Sequence, residues 1–417
     1  MYKAPRGTQD ILPHDQPYWE FVEAKAIKLC SLYQYVRIDT PVFEQTGLFL
    51  RSVGEDTDIV QKQIYTFEDK GGDSMTLRPE GTAPVCRAYI EHGMHTLPQP
   101  VKLYYITPIF RYERPQKGRL RQHRQFGVEA IGEASPAMDA EIISMAWDFY
   151  ASLGLAGLTL HLNSIGCQLC RSEYLNRLKQ YYSLHRAGLC PDCRDRLSRN
   201  PLRLLDCKKP SCQRIVKGAP QIAEHLCHEC NNHFDALRDY LGLRGIPYVL
   251  DPYLVRGLDY YTRTVFEVQP EELGSQSALG GGGRYDNLIE QLGGKPAPAI
   301  GFGTGLERGI LNLRQQGVVL HPTRGQVRVV HVGKEAKKEA IRLADALRRA
   351  GISATNTAGD TSLKSQLKQA NSLGVHHTLI IGEDELKSGH VTWRDMVKGV
   401  QVELPYAEVV ERLKREV

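Results

Sequence analysis

In the stretch PYWEFVEAKAIKLCSLYQY the apolar residues Trp19, Val22, Ala26, Leu29 and Tyr33 recur every three or four positions, which predicts an amphipathic helix. YVRIDTPVFE then reads as a short strand closed by Pro41, because proline cannot donate to a ladder. SMTLRPEGTAPVCRAYIE reads as strand, turn and helix, VKLYYITPIFRYE and RQFGVEAIG as two strands joined by a basic loop, and MDAEIISMAWDFYASLG as a helix. From about Gln168 to Tyr240, helical text rich in Cys and Arg interrupts the strands with the character of an insertion. Two-residue alternation returns between Val255 and Val268, predicting a half-buried strand. Its face carries Arg256, Asp259, Tyr260 and Tyr261 where apolar residues belong. A glycine turn follows at ALGGGGRYDNLIEQLGG, and AIGFGTGLERGI takes a strand into a helix. Beyond the charged break RQQGVVLHPTRGQ come VRVVHVG, a helix from Lys334 to Ala350, ISATNT, a helix from Leu363 to Leu373, HHTLIIG and a final helix. This strand–helix alternation predicts a separate α/β domain on a mixed sheet.

A chain of 417 residues is too long for one ordinary core, so two or three domains are expected. With 41% hydrophobic and 24% charged residues, the composition excludes a disordered or fibrous protein. No apolar run is long enough to span a bilayer and MYKAPRGTQDILPHD has no signal-peptide pattern, so no membrane association and a cytoplasmic location are expected. The net charge of +5 is mild and does not by itself demand a polyanionic partner. Local charge says more: RYERPQKGRLRQHR, Arg111 to Arg124, packs six Lys/Arg against one Glu. Eight of the ten cysteines fall between Cys167 and Cys230.

Three segments carry candidate chemistry. Arg111, Arg119 and Arg121 flank the basic loop near strand ends, where their planar forks can converge on phosphate oxygens; the competing reading is a solvated hairpin tip. In GFGTGLERGI, glycines admit close backbone approach ahead of a helix start that suits anions, with Arg308 in the first helical turns. Glu80, in LRPEGTAP, sits at a turn before a helix, either as a ligand group or as a complement to the helix dipole. The cysteine pairs Cys167/Cys170, Cys190/Cys193 and Cys227/Cys230 have metal-ligand spacing, with Cys207/Cys212 a looser pair. Structural zinc and ordinary reduced thiols both remain open, and the combination of pairs is not readable from spacing.

FRYERPQKGRLRQHRQFGVE resembles motif 2 of the class II aminoacyl-tRNA synthetases, GFGTGLERGI their motif 3, and the Trp19 helix with the Pro41 strand their motif 1. RGLDYYTRTVFE together with GGGRYD resembles the signature pair of the histidyl-tRNA synthetases, and RGTQDILP resembles their beginning. The resemblance implies an α+β catalytic domain with an antiparallel sheet over residues 1–323, interrupted by a mainly helical insertion at 168–240. It also implies a C-terminal α/β anticodon-binding domain over 325–417. The implied activity is ATP-dependent ligation of L-histidine to tRNA(His) by a homodimer, with ATP as cosubstrate, Mg²⁺ as cofactor and structural Zn²⁺ as a candidate.

By the same resemblance, Glu129, Tyr260, Tyr261 and Tyr285 line an imidazole pocket, and Glu80, Gly81, Thr82 and Gln125 serve the α-amino group. Arg256 and Arg111 are the implied catalytic cations at the α-phosphate, Arg256 also meeting the histidine carboxylate. Glu113, Arg119, His123 and Arg308 complete the ATP site. His123 departs from the family, whose motif 2 usually has a phenylalanine there stacked on adenine; the ring here is smaller and titratable. Two competing functions are a synthetase-like regulatory subunit of histidine biosynthesis, which would lack the arginines and the C-terminal domain, and a plain RNA-binding module, which would leave the amino-acid pocket unexplained.

Overall fold

The structure, a computed structural model, describes residues 2–54, 57–114, 120–271, 278–320 and 326–416. Arg119 and the expected linker at Thr323 lie outside the described residues. The chain divides into two compact units, Met1–Val319 and Leu320–Val417.

The first unit begins with the helix Gln16–Leu32, and its strands in chain order are β1 (Val36–Arg37), β2 (Phe43–Gln45), β3 (Tyr65–Glu68), β4 (Ser74–Leu77), β5 (Val101–Phe110) and β6 (Gln122–Ile131). Then come β7 (Leu158–Ser164), β8 (Tyr248–Leu250), β9 (Thr262–Pro270), β10 (Gly280–Arg284) and β11 (Ala299–Gly305). Eight of them form one sheet in the order β1-β5-β6-β11-β10-β9-β7-β8, antiparallel throughout except at the two parallel outer pairs. Strands β2, β4 and β3 make a small separate sheet. The sequence expectation of one strand in YVRIDTPVFE is thus corrected. Pro41 divides it, sending β1 to the large sheet and β2 to the small one.

Both faces of the large sheet are covered. Tyr104, Phe126, Val128, Phe266 and Phe302 point into one core with Trp19 and with Phe149 of the helix Pro136–Ser152. Leu103, Tyr105, Ile131 and Val265 point into the other, with Val85 of the helix Thr82–Glu91 and much of the insertion. Burial on both faces is why VKLYYITPIF is nearly continuously apolar. The insertion is helical, with Gln168–Leu184, Pro191–Arg199, Pro210–Val216 and His228–Leu243 as its α-helices.

The glycine run expected to turn is instead strand β10, buried between β9 and β11. Only glycine fits between those two strands: a Cβ on Gly282 would lie 2.0 Å from the carbonyl oxygen of Gly301. A fully buried network pins its end. The Arg284 guanidinium meets Asp139 at 2.6 Å, and that carboxylate also takes Thr264 Oγ1 at 2.6 Å and faces His233 Nε2 at 2.8 Å.

The second unit has a five-stranded mixed sheet, its strands β12 (Val327–His331), β13 (Ala354–Asn356), β14 (His377–Ile381), β15 (His390–Asp395) and β16 (Gln401–Pro405) lying in the order β13-β12-β14-β15-β16. The first three are parallel, while β15 and β16 add an antiparallel hairpin that simple strand–helix alternation did not anticipate. Helices Lys334–Arg349 and Tyr406–Glu416 pack Ala340, Leu347, Val409 and Leu413 onto it.

Candidate functional site

Strand β6 supplies the floor. Its pleat sends Phe126, Val128 and Ala130 into one core, leaving His123, Gln125 and Glu129 on the opposite face. Tyr105 lies opposite Gly127, and Glu129 opposite Gly301. A Cβ on Gly301 would stand 1.8 Å from Glu129 Oε2, so the missing side chain is what admits the carboxyl.

Around Glu129 a closed polar chamber forms. Thr82 Oγ1 donates to Oε1 at 2.8 Å, Tyr105 Oη donates to the same oxygen at 3.2 Å, and Tyr285 Oη donates to Oε2. Burial drives the Glu129 carboxyl up to about 8, against the pull of the three hydroxyl donors and helped by the neighbouring charge of Glu80. Glu80 accepts from the backbone N–H of Thr82 at 2.7 Å and of Ala83 at 2.8 Å, so it does cap its own helix. Burial raises its carboxyl too, with those two N–H groups opposing. Gly81 presses on Tyr105, where a Cβ would come within 2.3 Å of the ring. The Tyr260 ring lies 4.8 Å from Tyr261 and 5.6 Å from Tyr285.

The expected strand from Val255 is corrected here, because β9 starts only at Thr262 and residues 255–261 are irregular. Their backbone groups find partners outside any ladder: Asp259 N–H donates to Val53 O at 3.2 Å, and Arg171 Nη1 donates to Tyr261 O at 3.0 Å. Arg263, at φ 50°, then absorbs a register shift against β10. The polar residues that spoiled the strand pattern are those of this approach segment.

Beside the chamber opens a cavity of about 520 Å³, lined by Arg111, Glu113, His123, Gln125, Arg256 and Arg308 together with Glu267, Glu307, Asp206 and Lys208. Arg256 pairs with Glu267, and although burial opposes its charge, Glu267 and then Tyr261 hold it above the usual arginine value. Tyr261 therefore joins the chamber to the cavity. Arg111 Nε donates to Pro79 O at 2.7 Å, and Arg308 reaches Ala278 O. Burial, reinforced by Arg111 and Arg308, pulls the His123 imidazole down to about 3, so it is neutral. Gln125 Oε1, Arg256 Nε and Glu307 Oε2 are buried there without a protein partner. Burial lifts the Glu307 carboxyl to about 7.

The structure therefore gathers Glu80, Thr82, Glu129, Tyr260, Tyr261 and Tyr285 in one chamber and Arg111, Glu113, His123, Gln125, Arg256 and Arg308 around one cavity. Arg121 is not among the lining residues. It stacks over Tyr112 at 3.8 Å. Sequence reading missed Tyr105, Glu267, Glu307, Asp206 and Lys208. An acid inside the apolar run VFEV, and another beside Arg308, were the available signals for Glu267 and Glu307.

The eight insertion cysteines fall into two groups, Cys167, Cys170, Cys227 and Cys230, and Cys190, Cys193, Cys207 and Cys212. Within each group all four sulfurs lie within 4.8 Å of one another.

A family model described as histidyl-tRNA synthetase matches residues 7–170 and 210–308, and one described as an anticodon binding domain matches residues 326–416. A curated relative from Dehalococcoides mccartyi, a histidine–tRNA ligase, is 56% identical, with 100% of both chains covered. Another histidine–tRNA ligase, from Desulforudis audaxviator, is 52% identical over 100% of this chain and 99% of its own. The crystal structure of the apo histidyl-tRNA synthetase of S. aureus superposes with a TM-score of 0.84 at 40% identity, over 99% of this chain and 100% of the other.

Proposed function

Because the chain belongs to the histidyl-tRNA synthetase family, we propose that its chamber and cavity hold the two small substrates of histidine–tRNA ligation, histidine and ATP. The reaction has two steps. The histidine carboxylate attacks the α-phosphorus of ATP and expels pyrophosphate, and the terminal hydroxyl of the tRNA then takes the acyl group from the adenylate.

The observation that carries the assignment is the junction of a buried carboxyl–phenol chamber with an arginine-lined cavity at Tyr261 and Arg256. A neutral imidazole donates from one ring nitrogen and accepts at the other. Glu129, flanked by Tyr260, Tyr261 and Tyr285, offers it both kinds of partner, because a carboxyl held near 8 is largely protonated at neutral pH. Glu80, Thr82 and Gln125 take the α-ammonium, the buried and unpartnered Gln125 Oε1 being one acceptor. Arg111 and Arg256 bracket the α-phosphate and stabilise the charge that develops on its oxygens. Arg308 and Arg119 serve the outer phosphates, and neutral His123 packs against adenine. The two regions together fix the carboxylate in line with phosphorus.

Magnesium in this family accompanies ATP and would supply further charge neutralisation. Glu113 lines the cavity and fits a hard cation that needs one or two carboxylates beside phosphate oxygens. We also assign structural zinc to the insertion. The 326–416 unit reads the anticodon of the tRNA. A homodimer is supported by exposed Leu32, Val36, Val42 and Phe43 beside the first helix and strands, apolar surface that a second copy would cover. Among the described residues no helix is long and apolar enough to cross a membrane, and a cytoplasmic location fits the reading. The regulatory alternative gains nothing from a chain that keeps its arginines and its C-terminal domain.

The test is histidine-dependent exchange of pyrophosphate into ATP without tRNA. Exchange with histidine and none with phenylalanine is expected; its absence from folded protein overturns the assignment.

A further inference from the structure

Each CxxC pair of the insertion straddles a helix start. Cys167, Cys190 and Cys227 are the N-cap residues of Gln168–Leu184, Pro191–Arg199 and His228–Leu243, and Cys170, Cys193 and Cys230 follow in the first turns. Helix N-termini favour anions, so these positions suit the thiolate ligands of a shared cation.

The sulfur separations choose between metal and disulfide. Cys167 and Cys170 are 3.6 Å apart, Cys167 and Cys227 4.0 Å, and Cys190 and Cys207 3.9 Å. A disulfide needs about 2.05 Å, whereas four sulfurs each about 2.3 Å from a tetrahedral zinc sit about 3.8 Å apart. Backbone N–H groups also point at the sulfurs, Cys227 to Cys170 Sγ at 3.0 Å and Cys190 to Cys212 Sγ at 3.2 Å, the outer contacts that orient metal-bound thiolates. Cys190, Cys193 and Cys207 lie in residues 171–209, which the family model does not match.

We propose that the insertion holds two zinc ions, one in each cysteine quartet, and that the second fastens the insertion to the edge of the ATP cavity. As each ion binds, four thiols release their protons to solvent and the four thiolates close the site. Cys207 stands between Asp206 and Lys208, which pair at 3.0 Å and both line the cavity with Arg111 and Arg256. Arg203, in the turn before them, reaches Asp206 at 3.5 Å. A ligand bond to Cys207 fixes this segment from its middle. The first quartet has its own link, since Arg171, next to Cys170, donates to Tyr261 O. The cavity part of the proposal rests on the ATP assignment above, whereas the metal content does not.

The experiment uses the full chain purified without chelator, with zinc counted by elemental analysis. About two ions per chain are expected, released in two steps as a mercurial titrates eight thiolates in the intact enzyme. Cys207→Ser should keep one ion, which also reports a folded first quartet, and should raise the KM for ATP by about tenfold, at the low end for losing an outer support. Cys170→Ser should likewise keep one ion. A wild-type chain with no zinc and eight freely reactive thiols overturns the metal. One ion per chain, or one-step release of both, overturns two independent centres. A one-ion Cys207→Ser enzyme with unchanged KM for ATP overturns the fastening alone. If pyrophosphate exchange is absent while two zinc ions are present, the ATP assignment has failed and the metal centres stand.

Discussion

Replacing Arg256 with alanine removes a cation that lines the cavity and also meets Tyr261 of the chamber. The guanidinium is four-fifths buried and pairs with Glu267, whose side chain is 18% exposed. Truncation therefore has two costs, which the assay must separate. The Glu267 carboxylate is left without its partner, for about 2 kcal/mol of stability, the scale of a charged group losing its hydrogen bond in partial burial. The transition state loses a preorganised donor at the α-phosphate, for about 3–4 kcal/mol, or roughly 10²–10³ in the rate of adenylate formation. Histidine-dependent pyrophosphate exchange should fall in kcat more than in the KM for either substrate, because the guanidinium opposes charge that grows during the reaction. Glu267→Gln on the Arg256→Ala background should restore stability, since no carboxylate is left unpaired, and should leave exchange as low as before. Near-normal exchange in a folded Arg256→Ala enzyme would refute the role given to Arg256. Recovery of exchange in the double variant would show that the single change acted through misplacement of Glu267.

Further outcomes follow from the same geometry. Glu129 has a folded value raised from 4.5 to about 8, so its contribution to stability is complete below 4.5 and is lost as pH rises through about 8. Glu129→Gln should remove that component, and superimposable slopes of melting temperature against pH for variant and wild type would refute the shift. Asp139→Ala leaves the fully buried Arg284 with Asp286 as its remaining acid and takes the acceptor from Thr264 and His233, and should destabilise the first unit by about 2–3 kcal/mol in urea unfolding; a loss below about 1 kcal/mol would mean the site relaxes or hydrates. A chain ending at Val319 keeps every residue assigned to histidine and ATP and should retain pyrophosphate exchange while tRNA charging falls steeply, because binding energy from a remote part of that substrate is gone. Parallel loss of both activities in a folded truncation would show that the second unit shapes the pocket.

Much of this was legible from local pattern. Long strands such as Val101–Phe110 and Gln122–Ile131, and the helix Leu363–Leu373, follow directly from periodicity and turn residues. The misses have one cause: residues whose partners lie beyond the few positions that a local pattern spans. Alternation ran on through Arg256 to Tyr261 because a segment that serves a pocket is polar on one side and packed on the other, just as a half-buried strand is. The glycine run looked like a turn because local propensity cannot register the carbonyl of Gly301, which leaves no room for a Cβ on Gly282. Arg256 was found through resemblance, but its partner Glu267 was not, since an acid in VFEV gives no hint of which cation it meets. The partition of the cysteines was likewise invisible in spacing, because Cys170 and Cys227 meet only once two helices are folded side by side.

The bare strand Gly280–Gly283 also has a genetic consequence. At each of the four positions an added carbon would come within 2.4 Å of an existing atom. Every single-base missense change of a glycine codon introduces such a carbon, so none of the four codons has a gentle neighbour. Elsewhere in the sheet, Val265 or Ile300 can drift to a similar apolar residue and lose little. Here variation has no small steps. A mutational scan of the gene should show this stretch as a sharp band of lost function, set apart from apolar positions such as Val265 and Ile300 on the neighbouring strands, and revertants of a lesion in the band should arise by restoring glycine itself.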